Sequence, residues 1–126
     1  MFIFCQTFLF AIISNIMKVI LLLAISNVFM TFAWYGHLKF KDLAIWKIIL
    51  ISWFIAFVEY CFMIPANRIG YEQFNATQLK VIQEVISLIV FAFFSVYYLH
   101  ENFRWNYIVG FCFIVLAVFF IFNKWN

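Results

Sequence analysis

The chain has 126 residues, of which 69% are hydrophobic, 25% aromatic and only 10% charged. A soluble domain of this length needs far more charge to coat its surface, so lipid must be the solvent for most of this one. The net charge of +3 comes from lysines and arginines scattered singly between apolar runs, which argues against the basic face of a nucleic-acid-binding protein.

Three glycines and one proline leave the chain few places to turn, while its long uncharged runs match the length of membrane-spanning helices. The runs are continuous and do not alternate every second residue, as lipid-facing β-strands would. The expected fold is therefore all-α, an integral membrane bundle of four transmembrane helices.

Residues 1–16 are apolar and uncharged but lack the positive region that opens a signal peptide. Joined to the run that follows, they would make a helix of about 57 Å, too long for one bilayer. Three arrangements are open: an interfacial segment, a fifth partial span, or a protein that starts at Met17. The last is favoured, because Met17-Lys18-Val19 sets a positive charge just ahead of an apolar run. On that division 1–16 is an apolar extension and 17–126 the four-span domain.

The first span, 19–38, has no formal charge and is bounded by Lys18 and Lys39. At ~1.5 Å per residue its twenty positions cover the ~30 Å hydrocarbon core. The second, 48–67, carries Glu59 and closes near Pro65, with Gly70 beyond. The third, 79–99, follows a polar segment in which Asn75 and Gln78 have capping-box spacing; that use also accounts for the sequon-like Asn75-Ala76-Thr77. The fourth runs over 105–123. Trp34, Tyr35, Trp46, Tyr71, Tyr97, Tyr98, Trp105, Tyr107 and Trp125 gather near span ends, as interfacial aromatics do.

Four spans divide the basic residues evenly, with Lys18, Arg68, Lys80 and Lys124 on one side and Lys39, Lys41, Lys47 and Arg104 on the other. A chain without positive-inside bias inserts either way up, and opposite copies then pair as an antiparallel dimer. The alternative is that Lys80 lies too deep to count, or that a fifth span changes the tally.

Glu59 is the residue of greatest chemical interest. It lies twelve positions into a run of twenty, near the bilayer midplane, where a carboxylate costs ~2.5–3.5 kcal/mol or more. Apart from Lys80, at the start of the third, no Lys or Arg occurs within any span, and Arg68 is about 13 Å away along the helix axis. Two roles stand: a carboxyl that exchanges a proton for a cationic or polar ligand, or a protonated side chain that simply hydrogen-bonds a neighbouring helix. Ser52, Ala56, Glu59 and Met63 fall on one helix face, and Asn27, Thr31 and Trp34 follow the same spacing in span one.

Glu84 also has two readings. Lys80 one turn earlier offers a local ion pair. Alternatively Glu84, Ser87, Ser95 and Tyr98 form a polar stripe that lines a route to Glu59. The expected ligand-lining set is therefore Asn27, Thr31, Trp34, Ser52, Ser87, Ser95 and Tyr98, with Glu59 and Glu84 as proton or ligand groups. In span four, Gly110 and Ala117 are seven apart and suggest a seam that holds helices or copies together.

Cys5, Cys61 and Cys112 have no metal-ligand spacing and behave as small hydrophobes, and His37 and His100 stand alone near membrane edges. No catalytic constellation, cofactor motif or metal site is expected, nor an enzyme.

The stretches Met17 to Leu23, Ser26 to Lys39, Ile64 to Tyr71, Gln78 to Glu84 and Arg104 to Phe111 resemble an uncharacterised bacterial four-span family. That family, a domain of unknown function, is grouped with the drug/metabolite transporter superfamily. Leu99-His100-Glu101, with Gly110 nine residues after Glu101, is similar to the Leu-Gly-Glu and later Gly of the superfamily's final hairpin, His100 standing where glycine is usual. The resemblance implies a half-sized transporter of the inner membrane, similar in scale to the small multidrug resistance proteins, which work as dimers. Those place their essential Glu in the first span. Span one here has none, so Glu59 and Glu84 are candidates on membrane physics alone.

The expectation is thus a small transporter, proton-coupled, for a small polar or cationic solute, working as a homodimer because four helices are few for an alternating-access pathway. The rival expectation is a non-transporting accessory or assembly protein of the membrane.

Overall fold

The computed structural model describes residues 1–124, the side chain of Phe2 excepted. Four helices follow one another: α1 (Phe2–Tyr35), α2 (Ile45–Gly70), α3 (Ala76–Tyr97) and α4 (Trp105–Phe122), with a 3₁₀ turn, Gly36–Lys39, closing α1. All four are long and apolar enough to cross a bilayer, and no strand occurs among the described residues. This is a four-span membrane bundle. Most large apolar side chains point outward, which water would penalise and lipid does not.

Residues 2–16 continue α1 without a break. No glycine, proline or charge interrupts that stretch, so nothing local stops the helix, and the rod reaches about 51 Å. Its first three turns are exposed, and contact with the bundle begins in earnest at Val19.

The exit expected at Pro65 is corrected by the structure, since α2 runs through Pro65 to Gly70. Proline removes one backbone hydrogen bond and crowds the preceding turn. Membrane helices tolerate this where neighbouring elements hold the chain. Here Ala66 and Gly70, just beyond Pro65, are buried in the bundle, so packing carries the helix one turn further.

The core at this end of the bundle is Val19, Leu23, Ala66 and Leu79, with Leu22, Ile69, Phe74, Ile82 and Ile86 packed around it. A Cβ on Gly70 would lie 2.6 Å from Leu79 Cδ2 and 3.3 Å from Val19 Cγ1, so the missing side chain is what lets α1, α2 and α3 converge. At the opposite end the packing is aromatic. Phe32 meets Phe94 and Tyr98 edge-on at 5.1 and 5.2 Å, and the Tyr98 hydroxyl donates to the Gly36 carbonyl at 3.1 Å. Val19 pairs with Leu79 and Phe32 with Phe94, so α1 and α3 run parallel, with α2 antiparallel to both.

The cap expected at the start of α3 is present: Asn75 Oδ1 accepts from the Gln78 amide at 2.9 Å, and Gln78 Oε1 accepts from the Asn75 amide at 3.1 Å. The α3–α4 connection turns at His100, whose φ of 57° is the left-handed conformation that glycine adopts freely.

α4 rests chiefly against α3 and has no buried residue. A Cβ built on Gly110 meets nothing within 4 Å, and Ala117 is exposed. The expected seam through these two residues therefore packs no helix of the chain itself. Trp34, Tyr35, Trp46, Tyr71, Tyr97, Trp105 and Tyr107 are exposed near helix ends, in the position of an aromatic belt, whereas Tyr98 is half-buried. Trp125 lies outside the described residues.

Candidate functional site

α1 and α2 meet along a seam that places polar groups in the middle of an apolar interface. On α1, Val19, Leu23, Ser26 and Ala33 are all buried, at the alternating spacing of four and three residues that keeps side chains on one face. On α2, Glu59 and Ala66 occupy the facing stripe, seven residues apart. Glu59 is 4% exposed and lies about halfway along α2. Its Oε1 accepts a hydrogen bond from Ser26 Oγ at 2.9 Å. A hydroxyl is the partner a mid-membrane carboxyl needs, because it removes one unmet acceptor without adding a second buried charge.

Ser26 is not among the residues singled out from the sequence. Its signal was the seven-residue spacing from Val19 and to Ala33, a seam read more easily once both helices are paired. The neighbouring Asn27 and Thr31 are buried as expected, but they bond within their own helix. Asn27 Nδ2 donates to the Leu23 carbonyl at 2.8 Å, and Thr31 Oγ1 donates to the Asn27 carbonyl at 2.7 Å. Asn27 Oδ1 is buried and accepts no hydrogen bond.

Beside this seam a cleft of about 520 Å³ opens between α1 and α3. Thr31, Trp34, Lys80, Gln83, Glu84 and Ser87 form its polar wall, with Tyr35, Met63 and Phe91 among its apolar residues. Four of the sequence candidates, Thr31, Trp34, Glu84 and Ser87, thus come together. Trp34 does so with 66% of its surface exposed, at the rim, and not buried alongside Asn27. Lys80 Nζ lies 2.5 Å from Glu84 Oε1, with both side chains more than half exposed. Gln83, missed in the sequence because Glu84 beside it drew attention, is the buried polar residue of α3 in this cleft. Its Nε2 lies 3.9 Å from Met63 Sδ.

The other candidates are elsewhere. Ser52 and Tyr98 line a pocket at the far end of the bundle, and Ser95 lines a groove between α3 and α4. The stripe through Glu84, Ser87, Ser95 and Tyr98 is therefore divided among three cavities, because a 22-residue helix turns its polar positions toward different neighbours along its length. Glu59 lines none of these cavities, while Met63, one turn along α2, lines the polar cleft. Among the described residues no three His, Cys, Asp or Glu side chains are grouped to hold a metal ion. Cys5, Cys61 and Cys112 are free thiols on exposed positions.

Four apolar helices, two of them closing on a buried acid, define a small multi-pass membrane protein. The profile of one family, described as "Putative member of DMT superfamily (DUF486)", matches residues 19–122. The chain belongs to this uncharacterised family. No curated protein and no solved structure matches.

Proposed function

We propose that the protein is a small membrane transporter in which Glu59 exchanges a proton for a small polar or cationic solute. The observation that carries this reading is a carboxyl at mid-depth, shielded from lipid and held by one hydroxyl, a single helical turn from a residue that lines a polar cleft. A carboxyl kept purely for stability would be cheaper as an apolar residue, since burying an ionisable group in a membrane is costly. The family's description, which assigns it to a transporter superfamily as a "Putative member", supports the same reading at the level of class.

Four helices enclose little, and α4 has no buried residue. We therefore read the working unit as a homodimer in the bacterial inner membrane, and the even split of basic residues is compatible with antiparallel copies. Lys41, in the α1–α2 connection, and the C-terminus are the sites where reporter fusions read this out. Signals from both faces for one site support dual insertion, and a single face removes it.

The test of the mechanism is uptake into vesicles containing the purified protein, with and without a pH gradient. Glu59→Gln keeps an acceptor for Ser26 but cannot release a proton, so it should abolish gradient-driven flux while the bundle stays folded. Flux equal to wild type would remove Glu59 from the mechanism. The rival reading, an accessory or assembly protein, expects no flux from either form and only a change in stability.

A further inference from the structure

The end of the bundle at the α1–α2 connection carries a second set of features that the transport reading does not use. The 3₁₀ turn Gly36–Lys39 and the residues after it fold back over the start of α2. They leave a pocket of about 280 Å³ with walls formed by Phe32, Phe40, Ile48, Ile51, Ile55 and Tyr98. This is below the ~300–1,000 Å³ of ordinary small-molecule sites. The wall has little polarity to offer a solute. Its polar side chains are His37, Ser52 and Tyr98, and the Tyr98 hydroxyl is already committed to the Gly36 carbonyl.

Cations stand at the lip of this apolar pocket. Lys39 Nζ lies 4.2 Å from the centroid of the Tyr98 ring, which holds the ammonium at the pocket wall. Lys41 is exposed two residues on, and Lys47 Nζ lies 5.5 Å over the Trp46 ring. The basic residues at this end, Lys39, Lys41, Lys47 and Arg104, outnumber the acids Asp42 and Glu101. Among the described residues the one ion pair is Lys80 with Glu84, on α3 at the other end, so none of these lysines is neutralised by a carboxylate. The exposed rings of Trp34, Tyr35 and Trp46 mark the same level as the headgroup region.

An apolar slot below headgroup depth, with uncompensated cations above it, has the shape and charge of one class of ligand. We propose that this end of the bundle is a binding site for an anionic phospholipid. Its phosphate is held by Lys39 and His37 within the field of Lys41, and one acyl chain lies against Phe32, Ile48, Ile51 and Ile55. The site is independent of Glu59 and of whether the protein moves a solute.

The experiment measures lipid retained by the purified, detergent-solubilised full chain after delipidation and readdition of phosphatidylglycerol or phosphatidylcholine with identical chains, read by native mass spectrometry. Wild type should retain phosphatidylglycerol in clear preference. Each juxtamembrane lysine adds about 1 kcal/mol of attraction to an anionic surface, so Lys39→Ala should cut that retention about fivefold and Lys39→Ala with Lys41→Ala about 25-fold. Phosphatidylcholine retention should fall much less, because its choline offsets the charge of its phosphate. Lys39→Arg with Lys41→Arg should restore the preference, and Lys124→Ala at the opposite end should leave it intact. Ile51→Trp, which fills the slot, should lower retention of both lipids with helicity unchanged by circular dichroism. Equal retention of the two lipids by wild type, or a preference undiminished in the double alanine variant, would overturn the proposal. So would displacement of the lipid by millimolar inorganic phosphate, which would make this a site for the bare anion.

Discussion

Ser26 on α1 donates its hydroxyl hydrogen to the Glu59 carboxyl on α2 across 2.9 Å, in the interior of the bundle and with both residues nearly or wholly buried. This bond ties the two most extensively packed helices at mid-depth. Interhelical hydrogen bonds in membranes are worth about 0.6 kcal/mol on average and up to about 1.7 kcal/mol. Ser26→Ala should therefore lower unfolding stability in mixed micelles by an amount in that range. In a double-mutant cycle with Glu59→Leu, the effects of the two substitutions should not add, because each alone already removes the bond they share. Strict additivity of the two would show that the pair is not coupled.

The glycines make a sharp contrast. Gly70→Ala places a methyl 2.6 Å from Leu79 Cδ2 in a three-helix contact where Leu79 and Val19 are themselves buried. Leu79 has to rotate out of packed space, so overpacking of about 1–3 kcal/mol is expected, visible as a lower melting temperature in detergent. Gly110→Ala meets nothing within 4 Å and should leave the monomer's stability unchanged or slightly raised by helix propensity. A loss of dimer in Gly110→Ala at unchanged monomer stability would place that face between copies.

His100 holds a left-handed backbone conformation with a side chain attached. A non-glycine residue there carries roughly 1–2 kcal/mol of strain, while glycine loses roughly 0.5–1 kcal/mol more backbone entropy on folding. His100→Gly should thus raise stability by about 0.5–1 kcal/mol, and His100→Val should lower it, since β-branched residues avoid this region. Thermal unfolding of the two variants side by side checks the sign. The result bears on why the superfamily pattern, to which Leu99-His100-Glu101 is similar, has glycine at this point.

Lys80 and Glu84 form an ion pair at the polar cleft, yet each is more than half exposed. Solvent screening limits such a pair to a few tenths of a kcal/mol, and less in high salt. Glu84→Gln should leave thermal stability almost unchanged. If flux also stays at the wild-type level, Glu84 is a helix-surface partner of Lys80; a fall in flux with stability intact would assign it to the solute path.

The number and order of the helices, and the places of α3 and α4, were legible in the sequence because one physical quantity controls them, whereas α1 and α2 run beyond the expected 19–38 and 48–67. A continuous apolar run of bilayer length has to satisfy its backbone internally, so 105–123 reads directly as α4 and 79–99 as most of α3, with Asn75 and Gln78 marking where α3 begins. Local rules failed where packing outweighed them. Pro65 reads as a stop, but buried Ala66 and Gly70 carry α2 past it. The seam read at Gly110 and Ala117, for helices or copies, receives no helix of this chain, so its reading between copies is the one that stands as a prediction.

The candidate site divides in the same way. Composition and charge placement single out Glu59, since an acid halfway along an uncharged run is visible in one dimension. Its partner is not, because Ser26, Asn27 and Thr31 are all polar positions on α1 and only the rotation of α1 against α2 decides which of them meets the carboxyl. The sequence determines that this chain lives in lipid as four helices with one acid stranded among them, through the free-energy cost of exposing backbone and charge to hydrocarbon. Tertiary structure alone decides that Ser26 holds that acid, that Gln83 and not Glu84 is buried, and that the polar stripe of α3 is shared among separate cavities, because side-chain contact depends on helix rotation and register, which a hydrophobic run leaves free.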